Sequence, residues 1–335
     1  MTSVSEALSL IQAHRPKPKR EPVKIEHALG RRLAAPVVAQ RTHPPAAMSA
    51  MDGYAVRLAD VRNSDAHLRL IGEAPAGSPF EGSVEPGDAV RIFTGSVIPD
   101  GADTVIIQEN VTRDGDEVIS VQAYDAPAHI RAAGLDFKSA DILIEAGTRL
   151  NAEHLSIAAA SNNATVLVET RLRVGLLANG DELRPPGSDL QPGEIINSNP
   201  FGLSALVERW GGDAVDLGIA RDSVETIETI IQKANDIDVF VPIGGASVGD
   251  HDHMRAAFQN SGFTPVFEKI AVRPGKPTWF SQSESALVLG LPGNPASAMV
   301  CAHLFLSQLV GHDWSNAMLR GTLVKDISAN GPREH

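Results

Sequence analysis

Residues 237–252 read Ile-Asp-Val-Phe-Val-Pro-Ile-Gly-Gly-Ala-Ser-Val-Gly-Asp-His-Asp, and this stretch decides the fold class. The apolar run Ile237–Ile243 has the length of a buried strand, and Gly244 and Gly245 end it. The same pattern of an apolar run before a loop recurs at Leu172–Ala178, Val215–Ala220 and Ala286–Leu291. Strand, loop and helix in repetition predict an α/β domain with a parallel, doubly wound sheet over residues 171–313.

The first half of the chain predicts a different organisation. Ser3 and Glu6 have the spacing of a capping box, and they predict a first helix. Further helices are predicted over Val23–Leu33 and from Asn151 to Ala160. Between them lie short runs broken by Gly, Pro and Asp, at Leu68–Gly72, Ala89–Thr94, Thr104–Gln108 and Val118–Val121. We therefore expect a discontinuous N-terminal domain, residues 1–42 and 136–170, with an inserted β-rich domain at 43–135.

The composition excludes several classes of function. A net charge of −12 over 335 residues argues against non-specific nucleic-acid binding, although a local cation cluster can still bind a small anion. The single cysteine, Cys301, excludes an internal disulfide, and its apolar surroundings predict a buried, inert thiol. No apolar stretch reaches the roughly 18 residues of a membrane span, and Met1–Arg20 lacks an apolar signal core. A cytoplasmic protein is the expectation.

The loop after Ile243 carries the residue types of an anion and metal site. Gly244 and Gly245 allow close approach of the backbone to a ligand, and Ser247 adds a hydroxyl. Asp250 and Asp252 are hard oxygen ligands of the kind that Mg²⁺ prefers. A glycine-rich turn with an Asp helix cap is the alternative interpretation of the same residues.

A second loop, Leu291–Ser297, predicts the N-terminus of a helix. Asn294 suits the N-cap and Pro295 the first helical position, and capping alone explains both residues. The free N–H groups of such a terminus are nevertheless receptive to an oxyanion. Three basic residues lie between the two glycine-rich loops, and they either bind an oxyanion or are solvated surface cations: Lys269, Arg273 and Lys276.

The remaining motifs, taken singly, are typical of turns and caps. Asp52 before Gly53, Thr94 before Gly95, and Asp136 after Gly134 fit turns. Asp222, with Glu225 three residues later, fits a helix cap. Glu182 follows the first strand of the predicted sheet, and Asn197 lies in a second candidate N-cap region.

Together these motifs resemble the family of MoeA-type molybdopterin molybdenumtransferases, which includes the E domain of gephyrin. The resemblance covers roughly residues 1–312, in the family's order, at Ser49–Ala55, Arg91–Gly95, Pro99–Asp103, Ile130–Asp136, Gly180–Leu183, Ile196–Asn199, Gly244–Asp252, Arg273–Pro277 and Leu291–Ser297. The sequence departs from the family pattern at Leu135, at Ala178 and Asn179, and at His251 and His253.

The resemblance implies an elongated homodimer whose active site lies between the α/β domain of one subunit and the β domain of its partner. It implies a Mg²⁺-dependent reaction that inserts molybdate into adenylyl-molybdopterin and releases AMP. It further implies a small C-terminal β domain, of which residues 314–335 would be the start of a truncated version. Its expected protein partners are the molybdopterin adenylyltransferase and cofactor-accepting enzymes.

The same resemblance assigns roles to individual residues. The implied catalytic carboxylates are Asp52, Asp136, Glu182, Asp222 and Asp252. The implied metal ligands are Glu182, Asp250 and Asp252. The implied substrate-binding residues are Thr94, Asn197, Gly244, Gly245, Ser247, Lys269, Arg273, Lys276, Pro292, Gly293, Asn294, Pro295 and Ser297.

Three alternatives stay open at the level of sequence. A related molybdopterin adenylyltransferase needs only the sheet domain, so Met1–Thr170 would have no purpose in it. A non-catalytic scaffold of the same fold predicts lost carboxylates, and all five are present. A tungstate-inserting homologue would carry the same residues.

Overall fold

The computed structural model describes residues 1–244, 253–311 and 322. The predicted C-terminal segment 314–335, apart from residue 322, lies outside the described residues. The helices are α1 (Val4–His14), α2 (Ala152–Ala160), α3 (Asn199–Trp210), α4 (Val224–Lys233), α5 (His253–Asn260), α6 (Pro295–Cys301) and α7 (Ser307–Val310), with a π-helical segment at Ala302–Leu306 and 3₁₀ helices at Ile25–His27, Leu58–Val61 and Gln108–Asn110.

The strands fall in two groups along the chain. The first group comprises β1 (Arg20–Lys24), β2 (Val37–Val38), β3 (Met48–Ser49), β4 (Gly53–Val56), β5 (Ala66–Ala74), β6 (Asp88–Ile92), β7 (Thr104–Ile107), β8 (Val111–Asp114), β9 (Glu117–Ser120), β10 (Ile130–Arg131), β11 (Ile142–Ile144) and β12 (Thr165–Glu169). The second comprises β13 (Arg173–Asn179), β14 (Leu183–Arg184), β15 (Ile195–Ile196), β16 (Asp213–Ala220), β17 (Val239–Ile243), β18 (Thr264–Phe267), β19 (Trp279–Gln282) and β20 (Leu287–Gly290).

The chain divides into two compact units. The first, here the sheet unit, contains Met1–Arg20 and the described residues from Glu169 onward, and the second, here the insert unit, contains Glu21–Val168. This differs at the N-terminus from the predicted grouping of residues 1–42 with 136–170. The apolar face of α1 is the reason, because Val4, Ala7 and Ile11 are buried in the main core of the sheet unit.

The sheet unit is built on a six-stranded sheet in the order β16-β13-β17-β20-β19-β18. The four strands β16, β13, β17 and β20 are mutually parallel, as predicted. The last two are not, since β19 runs antiparallel to β20 and β18 antiparallel to β19. The sheet is therefore mixed, which corrects the prediction of a wholly parallel one.

Helices cover both faces of this sheet. Alternation along β13 places Val174 and Leu176 in a core with α1, α3 and α6, whereas Leu177 lies in the core that α4 and α5 cover. Strands buried on both faces explain why their sequences are nearly continuous apolar runs. Cys301 is a free thiol buried in the first of these cores, as predicted.

The insert unit is mainly β-structure. Its six-stranded sheet has the order β7-β4-β6-β5-β9-β8, and the predicted runs correspond to β5, β6, β7 and β9. A separate small core joins Leu33 and Val37 to Ile144, Leu150 and Val168, from both sides of the insertion.

The prediction of a helix over Val23–Leu33 is wrong. Residues 20–24 form β1, which pairs with β12, and only Ile25–His27 is helical, as a 3₁₀ turn. Val23, Ile25 and Leu33 still reach the core, but from a strand and a turn. Short apolar patterns do not distinguish these cases from an amphipathic helix. None of the described helices is both long and apolar enough to cross a membrane.

Candidate functional site

A cavity of about 580 Å³ opens at the carboxyl edge of the parallel strands in the sheet unit. Asn179 ends β13, Gly244 follows β17 and Pro292 lies just beyond β20, and all three line the cavity. Because β13 has β16 on one side and β17 on the other, this edge is a switch point of the sheet. The other lining residues are Glu182, Leu183, Ile195, Ile196, Asn197, Ser198, Asn199, Ile243, Pro277, Gly293, Asn294, Pro295 and Ser297.

Two glycines let the loops at this edge approach each other. A Cβ atom added to Gly293 would lie 3.3 Å from the Cα of Gly244, and one added to Gly244 would lie 3.1 Å from the carbonyl oxygen of Asn179. Gly244 also has a φ of 91°, which side chains rarely adopt. These glycines therefore serve close contact between the two loops themselves.

Two helices begin at the cavity. The Asn294 side chain accepts a hydrogen bond from the backbone N–H of Ser297 at 3.2 Å, which confirms the predicted N-cap of α6. Ser198 caps α3 without a side-chain hydrogen bond, and neither helix has an acidic residue in its first turn. Asn199 links the two starts, since its Nδ2 donates to the carbonyl of Gly293 at 2.8 Å. Helix N-termini with free N–H groups favour an anion.

Asn197 and Glu182 contribute polar groups that no described residue satisfies. Asn197 is 9% exposed, and its side-chain amide has no hydrogen-bond partner among the described residues. Glu182 is exposed at the cavity, and its carboxylate pairs with none of them either. Among the described lining residues, Glu182 is the one charged side chain. The cavity therefore combines amides, two helix starts and one hard oxygen donor.

The strand pair β14–β15 holds Asn197 in place. The backbone N–H of Asn197 donates to the carbonyl of Arg184 at 2.8 Å. Arg184 in turn pairs with Glu194 at 2.6 Å. The backbone N–H of Gln191 bonds to the Glu194 carboxylate, and this bond, with Arg184, lowers the pKa of Glu194. Glu194 thus stays ionised and fastens the segment that carries Asn197.

The cavity brings together eight of the predicted site residues: Glu182, Asn197, Gly244, Pro292, Gly293, Asn294, Pro295 and Ser297. Four others, Gly245, Ser247, Asp250 and Asp252, lie outside the described residues. The predicted basic residues Lys269, Arg273 and Lys276 belong to the sheet unit but are not part of the described lining, to which their segment contributes Pro277. Asp222 is exposed in the loop after β16, and Ser223, rather than Asp222, is the N-cap of α4.

Sequence reasoning missed several lining residues, chiefly Asn179, Asn199 and the apolar side chains Leu183, Ile195 and Ile196. For Asn179 a signal existed, because it is the last residue before Gly180 at the end of the first parallel strand. Leu183 and Ile196 lie in motifs that resemble the family, but no apolar periodicity marked them, or Ile195, as lining residues.

The insert unit holds the predicted residues Asp52 and Thr94 in direct contact. One carboxylate oxygen of Asp52, Oδ1, accepts hydrogen bonds from the Thr94 backbone N–H at 2.7 Å and from its hydroxyl at 2.8 Å. These bonds, in that order, and the charge of Arg91 lower the pKa of Asp52, so the carboxylate is ionised at neutral pH. The sequence separates these residues by 42 positions.

Asp136 is the remaining predicted carboxylate of the insert unit. Its side chain lies 3.6 Å from Nε2 of His43, and both groups are substantially exposed. The ring of His43 stacks on Phe137, with centroids 5.5 Å apart. This arrangement positions Asp136 on the surface of the unit, where a charged partner is worth little for stability.

The fold and the cavity define a class: an α/β protein with a polar cavity at the carboxyl edge of its sheet. Comparison with known proteins narrows the class to one family. Residues 2–161 match the MoeA N-terminal region (domain I and II), and residues 175–312 match a probable molybdopterin binding domain. The chain belongs to the MoeA family.

Individual relatives agree with this assignment. The chain is 34% identical over 328 residues to a molybdopterin molybdenumtransferase of Nostoc sp., covering 94% of this chain and 75% of the relative. It is 36% identical over 313 residues to one of Haemophilus influenzae, covering 92% and 77%. A solved molybdopterin biosynthesis MoeA protein of Pyrococcus horikoshii superposes with a TM-score of 0.82 at 30% identity, covering 93% of this chain and 81% of that one.

Proposed function

We propose that this chain is a molybdopterin molybdenumtransferase, an enzyme that inserts molybdate into adenylyl-molybdopterin and releases AMP. The observation that carries the proposal is the cavity in which the starts of α3 and α6 meet Glu182. Family membership supports it, because the curated relatives carry this enzyme name.

The cavity suits a ligand with a charged and an uncharged part. The start of α3 at Ser198 has no capping side chain on its N–H groups, so it offers donors and partial positive charge to phosphate or molybdate oxygens. At the start of α6, Pro295 has no N–H and the Ser297 N–H already donates to Asn294, so this helix adds less. Asn197 offers both a donor and an acceptor to a neutral polar edge. Leu183, Ile195 and Ile196 give an apolar wall to a ring. An adenylylated pterin has each of these parts.

Mg²⁺ is part of the proposal. The described residues contain no group of three or more His, Cys, Asp or Glu side chains that could hold a metal ion. Glu182 nevertheless fits, since Mg²⁺ in proteins is commonly held by one or two carboxylates together with substrate phosphates and water. We propose Asp250 and Asp252 as the further ligands. The bound ion would neutralise phosphate charge and polarise the bond that breaks.

A homodimer with an active site shared between subunits is also proposed. In this arrangement Asp52, Thr94 and Asp136 of one subunit serve the cavity of the other. The support is local: Thr94 fixes an ionised Asp52, and such a preorganised carboxylate suits positioning of a substrate or water. A cytoplasmic location, and docking with the adenylyltransferase and with cofactor-accepting enzymes, complete the proposal.

The decisive experiment mixes the protein with adenylyl-molybdopterin, Mg²⁺ and molybdate and follows AMP release. We expect AMP release that depends on molybdate, with formation of molybdenum cofactor. A reaction with tungstate in place of molybdate compares the two oxyanions. A folded protein that releases no AMP in response to molybdate would contradict the proposal, and a monomer in light scattering would contradict the shared site.

A further inference from the structure

The amide of Asn179 has a fixed orientation. Asn179 is 6% exposed at the end of β13 and lines the cavity. Its side chain lies 3.3 Å from the carbonyl oxygens of Ala220, the last residue of β16, and of Arg221, the residue after it. Carbonyl oxygens only accept hydrogen bonds, so the Nδ2 group of the amide must face them. The nitrogen end of the amide is thereby engaged.

The amide oxygen is consequently left for another partner. Oδ1 of Asn179 accepts no hydrogen bond from the described residues. Because Nδ2 faces the two carbonyls, Oδ1 must face the other way. A side-chain acceptor at the wall of a cavity is satisfied either by water or by a ligand. Because Asn179 lines the cavity, a ligand there can supply the donor.

The surroundings decide which donor fits. An oxyanion offers only acceptors, so a phosphate or molybdate oxygen would repel the amide oxygen. The apolar residues Leu183, Ile195 and Ile196 line the same cavity and suit the faces of a flat ring. A fused nitrogen heterocycle with an exocyclic amino group combines a donor at its edge with two apolar faces.

We propose that Asn179 is a specificity-determining residue whose Oδ1 accepts a hydrogen bond from an exocyclic amino group on a fused nitrogen heterocycle. Ala220 and Arg221 enforce the specificity, because their carbonyls prevent the amide from turning to present its nitrogen. The inference rests on the proposed function for its ligand. Adenylyl-molybdopterin carries two such amino groups, one on adenine and one on the pterin.

The test measures equilibrium binding of four small probes to the full chain by calorimetry. AMP is compared with IMP, and pterin with lumazine, since each second member replaces the amino group by a carbonyl. We expect the wild-type protein to bind the amino member of one pair about tenfold more tightly. The amino group donates a hydrogen bond to Oδ1, whereas the carbonyl of the other member places an acceptor against it. The pair that is discriminated identifies the ring that Asn179 reads.

Asn179→Ala should reduce that preference to about onefold, because the fixed acceptor is gone. Should the alanine variant fail to fold, Asn179→Ser is the second variant, because serine changes the side-chain volume less than alanine does. Asn163→Ala is the matched control: Asn163 also donates from Nδ2 to a backbone carbonyl, that of Val38 at 3.0 Å, but does not line the cavity. The control should keep the wild-type ratio.

Two results would overturn the inference. One is a wild-type protein that binds both members of each pair equally. The other is a folded Asn179 variant that binds all probes more weakly but keeps their ratio, which is what a purely structural role predicts. Binding of these probes needs no turnover. Retained discrimination without molybdate-dependent AMP release therefore contradicts only the proposed function, and turnover without discrimination contradicts only this inference.

Discussion

Asp52 and Glu182 are both carboxylates in short motifs, yet the structure treats them in opposite ways. Asp52 has one oxygen occupied by two hydrogen bonds from Thr94, and its pKa is lowered. Glu182 lies exposed at the cavity and makes no hydrogen bond or ion pair with the described residues. The first is held in place before any ligand arrives, whereas the second is free to turn toward one. Motif spacing does not reveal this difference.

The largest effect is expected for Asp52→Ala. The substitution removes both the charge and the acceptor for the Thr94 N–H, so we expect AMP release to fall below detection and the melting temperature to drop. Asp52→Asn keeps an acceptor oxygen and should recover most of the thermal stability but not the activity. Asp125→Ala, at an exposed carboxylate of the same unit, is the control. Activity in Asp52→Ala would remove Asp52 from the proposed site.

Glu182→Gln should act on catalysis without acting on stability. Loss of the one charged group in the described lining should lower the rate of AMP release by about 100-fold, because several kcal/mol of transition-state stabilisation can come from a bound metal ion. The melting temperature should stay unchanged, as Glu182 has no described partner to lose. Glu208→Gln, on the exposed face of α3, should leave both quantities unchanged. If the melting temperature of Glu182→Gln fell as far as that of Asp52→Ala, the conclusion that only Asp52 stabilises the fold would be wrong.

Asn197→Ala sharpens the comparison within the cavity. We expect KM for adenylyl-molybdopterin to rise about tenfold while kcat changes little, since the lost hydrogen bond serves ground state and transition state alike. The free protein should be at least as stable, because the amide has no described partner. Asn163→Ala should show the reverse, with lower stability and an unchanged KM, since it loses bonds to Val38 and Ser161. Steady-state kinetics and thermal melts decide between the two patterns.

The smallest effect concerns pH. The pKa of Asp52 in the folded state is lowered from its ordinary value of 3.8, which the unfolded chain retains. The ionised carboxylate therefore adds stability that is present above about pH 4 and disappears as pH falls through the lowered folded-state pKa. The wild type should be more stable than Asp52→Asn at pH 7, and urea midpoints should converge at acid pH. A difference that stays constant with pH would mean that charge plays no part in this turn.

Much of the sheet unit could be predicted from sequence because its strands are buried on both faces. The apolar runs at Ile237–Ile243 and Ala286–Leu291 became β17 and β20, and Asn294 and Pro295 begin α6 as their types require. The antiparallel strands β18 and β19 were not found, since they flank a segment rich in charge, Pro and Gly and neither forms a continuous apolar run. The prediction of a helix over Val23–Leu33 was wrong for a related reason. Apolar side chains can enter a small core from a strand or a turn as well as from a helix.

The sequence by itself determined the α/β class, the cap of α6, the buried thiol of Cys301 and a set of loops that resemble one family. Those features depend on neighbours along the chain or on burial, and local chemistry records both. Only the tertiary structure decided that Asn179 and Asn197 line one cavity, that Gly244 and Gly293 touch, and that Asp52 is held across 42 positions by Thr94. Such contacts depend on the order in which strands join a sheet, and no periodicity along the chain encodes that order.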